Sequence, residues 1–309
     1  MAKRRIAIIA LVLCLYLMPL SAYAASTADA KAPIDTEKAC SLTISYGYGE
    51  TLFADQTVKL YKVADVSADA QYTLTKPFAT SGLILNGVQT NGEWNTIRTT
   101  LEACVLADNI SETATAVTDE QGQANFAQLT PGLYLASGVV IAETCSFESA
   151  LVALPGLDTE GYWQYAITVA AKPDILTQPD ADLQMKVLKL WQGDEGRTDR
   201  PKRIEVEIFR NGESYETVSL SEENHWSYTW TAKDDGSIWN VVERDIPKGY
   251  TVTVAEQDTT FVLTNIRNTP GNPPPATGDS TNILLYVVLM LLSGGMLIIL
   301  SMIGKRKPQ

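Results

Sequence analysis

Residues 203–212, RIEVEIFRNG, decide how the second half of the chain folds. Ile204, Val206 and Ile208 alternate with Arg203, Glu205 and Glu207. An extended backbone therefore puts three branched apolar side chains on one face and three charges on the other. Asn211-Gly212 closes the stretch with a turn pair. Working outward, HWSYTW (225–230) and TFVLTNI (260–266) alternate in the same way. On both sides of residue 180 the chain runs in short segments rich in Val, Ile, Thr, Tyr and Trp, broken by NG, GYG, DEQG, KDDG and PKGY turns. The fold class this predicts is mainly β, with two sandwich-like domains in tandem.

The join falls in AAKPDILTQPDADLQ (170–184), where Pro173 and Pro179 bracket a polar stretch poor in strand formers. The expected organisation is a first domain over 25–172, a linker over 173–181 and a second domain over 182–268. One helix is expected, in GEWNTIRTTLEACVLADN (92–109), where Trp94, Ile97, Leu101 and Cys104 recur at steps of three and four.

Both ends carry signals of another kind. Lys3, Arg4 and Arg5 precede an apolar run from Ile6 to about Leu20, and Ala22-Tyr23-Ala24 supplies small-x-small, so residues 1–24 read as a secretory signal peptide. At the other end, Ile283–Gly304 contains no charge and as a helix measures roughly 33 Å, enough to cross the ~30 Å hydrocarbon core of a bilayer. Lys305, Arg306 and Lys307 follow, in a tail over 305–309 that the positive-inside bias keeps cytoplasmic, which places the preceding chain outside.

The 309 residues carry a formal charge of −12, and six of the 24 basic residues lie in those two end segments. The remainder is more acidic still. Such a surface has no electrostatic reason to bind nucleic acid or an anionic membrane. Catalytic inventories are also poor. His225 is the sole histidine, no His or Cys pair has metal-ligand spacing, and no Gly-rich loop joins a strand to a helix. Neither a cofactor nor a metal is expected. With Cys14 in the leader, three cysteines remain: Cys104 on the apolar face of the expected helix, and Cys40 and Cys145 at polar segment edges. Cys40 and Cys145 are the candidate disulfide in an oxidising exterior; three buried free thiols are the alternative.

Three stretches resemble known families. Pro274-Pro275-Ala276-Thr277-Gly278, followed by the apolar span and the basic tail, resembles the LPXTG sorting signal of Gram-positive surface proteins, with Pro274 where that pattern has leucine. The resemblance implies that a sortase cleaves between Thr277 and Gly278 and joins Thr277 to a peptidoglycan precursor, the span over 283–304 holding a Pro-rich spacer (269–282) at the membrane until then. LKLWQGDEGRTDRPKRIEVEIFRNG (188–212), NHWSYTW, ERDIPKGYTV and FVLTNIRN together resemble the Cna B-type domain, an Ig-like β-sandwich that forms an internal isopeptide bond. Carried over, the cross-link joins Lys189 to Asn265 and Glu243 is the acid that promotes it. Burial among aromatic side chains favours a neutral amine, a nucleophile, and a protonated carboxyl able to polarise the amide. If the two bonded residues lie on the first and last strands, pulling force passes through the bond.

The region from LYKVADV (60–66) through TDEQGQANFAQLTPGLYL (118–135) to YAITVAAKPD (165–174) is similar to the N-terminal domain of Gram-positive pilins. Its first strand has no lysine and its last no asparagine, so no isopeptide bond is expected there. Lys172, whose AAKP context lacks the tyrosine and proline of the pilin motif, reads as a solvated linker residue; the alternative is the lysine through which pilins are joined. The expectation is therefore a cell-wall-anchored, extracellular structural protein, a minor or basal pilin-like subunit, and no enzyme. Its partners would be sortase, peptidoglycan precursor and other pilin subunits. The alternatives are an adhesin that binds a host or matrix ligand through its first domain, and a plain single-span membrane protein.

Overall fold

The computed structural model describes residues 32–141, 144–176, 181–195 and 200–268. The expected signal peptide, sorting motif, apolar span, basic tail and residues 177–180 of the linker lie outside these. Among the described residues no helix is long and apolar enough to cross a membrane.

The first unit contains β1 (Cys40–Ser45), β2 (Thr57–Val66), β3 (Tyr72–Leu74), α1 (Asn91–Asp108), β4 (Ala114–Val117), β5 (Gln123–Leu129), β6 (Gly132–Ala136), β7 (Val139–Ile141), β8 (Cys145–Phe147), β9 (Ala150–Leu154), β10 (Ala166–Ala170) and β11 (Pro173–Ile175). Its sheets run β10-β1-β5, β11-β8-β7 and β9-β6-β2-β3, with β4 also paired to β2. The second unit contains β12 (Asp182–Gln192), β13 (Arg203–Arg210), β14 (Glu213–Ser221), β15 (Ser227–Lys233), β16 (Trp239–Arg244), β17 (Tyr250–Gln257) and β18 (Thr260–Arg267), in two facing sheets ordered β15-β12-β18-β17 and β14-β13-β16. The mainly β, Ig-like architecture expected from the sequence is what the chain forms.

Alternation in 203–208 places Ile204, Val206 and Ile208 in the core of the second unit. The hairpin to β14 turns at Asn211 and Gly212, both with positive φ (52° and 80°), a conformation that asparagine and glycine tolerate best. In each unit the first strand lies parallel to a strand at or near the end, the last but one (β10) in the first unit and the last (β18) in the second. In the first, β1 pairs β10 with Ile44 opposite Val169; in the second, β12 pairs β18 with Lys189 opposite Leu263 and Trp191 opposite Asn265.

The expected linker begins late. Pro173–Ile175 is a strand, not an irregular segment, paired antiparallel to Cys145–Phe147 at the rim of a sheet. Proline is tolerated there because an outermost strand can spare a donor.

Helix α1 starts at a capping box, in which Thr90 accepts from the Glu93 amide and the Glu93 carboxylate accepts from the Thr90 amide. One face packs Ile97 and Leu101 into the first unit, with Trp94 and Cys104 partly buried beside them. The other face belongs to the second unit: Ala103 joins that core, with Leu106 and Ala107 packed against it. The Thr100 hydroxyl donates to Thr96 O at 2.6 Å and so is free to accept from the buried Val254 amide of β17 at 2.9 Å. Asn240 of β16 donates to Glu102 at 3.2 Å, and Arg244 donates to the Ala107 carbonyl at 2.9 Å.

Candidate cross-linking site

Glu243 faces inward because its strand does. In the antiparallel pair of β13 and β16, Val206 lies opposite Glu243 and Ile208 opposite Val241, and residues directly opposed share a face. Val206 and Ile208 are fully buried, so Glu243 is carried in with them, while Asn240 and Arg244 turn toward α1. In the other sheet, Met185, Val187 and Lys189 alternate inward on β12, and Phe261, Leu263 and Asn265 do so on β18.

The three predicted residues therefore meet inside the sandwich. The side chains of Lys189 and Glu243 are wholly buried, and Asn265 has 0% of its surface exposed. Lys189 Nζ lies 3.1 Å from Glu243 Oε2 and donates to the Leu263 carbonyl at 3.4 Å. Asn265 Nδ2 donates to Glu243 Oε1 at 2.7 Å. Glu243 Oε2 and Asn265 Oδ1 have no aligned hydrogen-bond donor, although both are buried. A half-turn of the amide and a proton on Glu243 would give Oδ1 the donor it lacks, and this is the arrangement that draws electrons away from the amide carbon.

Aromatic rings close the site. Lys189 Nζ stands 4.8 Å from the centre of the Trp191 ring, which meets Trp226 and Tyr250 edge-on at 5.3 Å each. Burial pulls the lysine pKa down from 10.5 to about 8, against the opposing pull of the Glu243 carboxylate and, more weakly, of Asp194. An appreciable share of the amine is then neutral near physiological pH, with an amide and a proton carrier beside it.

Other candidate residues lie elsewhere. Cys40 on β1 and Cys145 on β8 are buried in one core but belong to different sheets, and both are free thiols here, as is Cys104. Burial raises all three thiols, that of Cys104 to about 11. Lys172 is exposed between β10 and β11. The inward positions of β1 are Cys40, Leu42 and Ile44, opposite Ile167 and Val169, where the second unit has its lysine and asparagine. His225 is exposed and ends a short 3-10 turn with φ 53°. Among the described residues no group of His, Cys, Asp and Glu could hold a metal ion. Sequence reasoning missed the support of the site: Tyr250, whose PKGY motif was read only as a turn, and the Asp194–Arg200 pair.

Residues 185–266, most of the second unit, match the Cna protein B-type domain. No curated protein sequence matches it. Among solved structures, a single B repeat unit of the collagen-binding surface protein Cna of Staphylococcus aureus is similar at 16% identity, covering 75% of this chain and 99% of that one, with a TM-score of 0.27. The major pilin SpaD of Corynebacterium diphtheriae is similar at 15% identity over 76% of this chain and 65% of that one, TM-score 0.28. The shaft pilin spaA of Lactobacillus rhamnosus GG is similar at 11% identity over 75% and 99%, TM-score 0.27. The chain spans 49% of a two-repeat Cna structure.

Proposed function

We propose that this chain is a cell-surface structural protein, a minor or basal pilin-like subunit, stiffened by an amide bond between Lys189 and Asn265 and joined to peptidoglycan at Thr277 by a sortase. The observation that carries the reading is the solvent-free contact of Lys189, Glu243 and Asn265 inside a Cna B-type domain, on strands that include its first and its last. A buried lysine and carboxylate with no further task are costly to keep.

In the reaction, neutral Lys189 Nζ attacks Asn265 Cγ. The new C–N bond forms as the C–Nδ2 bond breaks, and Glu243 carries the amine proton to the departing nitrogen, which leaves as ammonia. No oxidant, cofactor or energy source is required. Each molecule reacts once.

Anchoring rests on the order of pentapeptide, apolar span and basic tail. Intact-mass measurement of the wall-released protein tests both halves of the reading. The expected species ends at Thr277 with a wall peptide attached and, once that peptide's mass is subtracted, is about 17 Da lighter than its composition, the mass of one ammonia. A full-weight chain overturns the cross-link, and a chain ending beyond residue 304 overturns the sorting. Other pilin subunits, if partners, would appear as bands that survive boiling in detergent, with Lys172 as the first linkage to examine.

A further inference from the structure

The aromatic cover of Lys189 is itself held by ions. Just past β12, Asp194 is 2% exposed, and its carboxylate accepts from Arg200 Nε at 2.8 Å, from Arg200 Nη2 at 2.6 Å and from the Tyr250 hydroxyl at 3.0 Å. The Arg200 guanidinium lies 5.3 Å from the centre of the Trp191 ring, the same ring that Lys189 approaches. Arg267 in turn lies over Tyr250 at 4.9 Å. A second carboxylate beside a lysine that must lose its proton is counterproductive unless its charge is spent elsewhere.

We propose that Asp194 and Arg200 are positioning residues for the Lys189–Asn265 reaction: the carboxylate ties Trp191 and Tyr250 into a cover over the amine, and the guanidinium neutralises that carboxylate so that the amine can deprotonate. The proposal rests on the cross-linking reading above. The charged and titratable groups around the amine are Glu243 from β16, Tyr250 from β17, Asp194 from the segment after β12, and beyond them Glu195, Arg200 and Arg267. Bidentate pairing with Arg200 holds the Asp194 carboxyl below its ordinary range, so it is charged throughout the working pH range. Its field at Lys189 therefore depends on whether Arg200 is present.

The test is the pH profile of bond formation. The full exterior chain is recovered unreacted from urea-solubilised inclusion bodies and refolded from pH 6 to 10, and ammonia loss is timed by intact mass. Asp194→Asn should move the midpoint of the rate profile down and Arg200→Gln should move it up, each by about half a unit or more. Arg200→Lys, which keeps the charge but loses the bidentate fork, should lie between wild type and Arg200→Gln. A purely structural role would slow both charge-removing variants without moving their midpoints in opposite senses. Midpoints that stay fixed, or that shift the same way, overturn the proposal. Absence of ammonia loss in the wild type overturns the cross-linking reading instead, and this one with it.

Discussion

Lys189 is enclosed by Trp191, Leu263 and the Glu243 carboxylate, its side chain wholly buried. Either it stays charged against Glu243 or it reacts, and replacing it tells which. Lys189→Ala should restore the roughly 17 Da of ammonia to the intact mass and lower stability by about 4–5 kcal/mol, the chain-entropy value for closing a loop of about 76 residues. Calorimetry of the two proteins checks the second figure. Asn265→Ala keeps the lysine but removes its target. In that variant the folded-state pKa of about 8 lies below the unfolded 10.5, so between these values the unfolded chain binds more protons and stability should rise with pH. Denaturant titrations at pH 8 and 10 show the rise, which a bonded wild type lacks. Lysine, acid and asparagine were legible in the sequence because each sits at a fixed place in a strand or turn motif. Asp194 was not, because its partner Tyr250 meets it only once β17 has joined the sheet of β12, with β18 between them, and Arg200 only once the chain has turned back after β12.

Helix α1 shows the same limit at the level of an element. Its three- and four-residue spacing announced the face that carries Ile97 and Leu101, but nothing in the pattern announced a second buried face. Thr100, Ala103 and Ala107 are small, and small side chains read as neutral in a helix. Their size is what lets β16 and β17 come close. Thr100→Val would keep the shape and leave the buried Val254 amide without an acceptor, a loss of about 1–3 kcal/mol. Faster hydrogen exchange at Val254, with the cross-link intact, is the expected signature. Ala103→Glu should go further and separate α1 from the second unit, seen as new protease sensitivity near residues 100–110. Pro173–Ile175 failed in the opposite direction: two prolines and an aspartate suggested a break, yet the open rim beside β8 accepts such a strand.

Among the described residues the two units share a cluster of charged side chains. Arg98 and Glu102 of α1 face Glu148 of the segment before β9, Glu256 of β17 and Asn240 of β16, with Ser149 hydrogen-bonded to Glu102. One guanidinium serves three carboxylates. Burial raises Glu102 to about 7, with Arg98 opposing and Glu148 adding to the rise. Burial and the neighbouring Glu102 raise Glu256 to about 7 as well. Between the ordinary carboxylate range and about 7 the folded state holds more protons than the unfolded, so stability should fall as pH rises through that window. Thermal unfolding from pH 5 to 8 checks the sign, and Glu256→Gln should flatten the slope. The tandem architecture was legible from strand patterning on either side of residue 180. The docking of the two units was not, because it is written in a helix of one and strands of the other.

The hydroxyl of Thr100 has one more consequence. β17 is the outermost strand of its sheet, and such a rim ordinarily invites a passing peptide to zip on as one more strand. With its Val254 amide already engaged and α1 laid along it, that invitation is withdrawn, so neighbouring molecules can touch this side without fusing there.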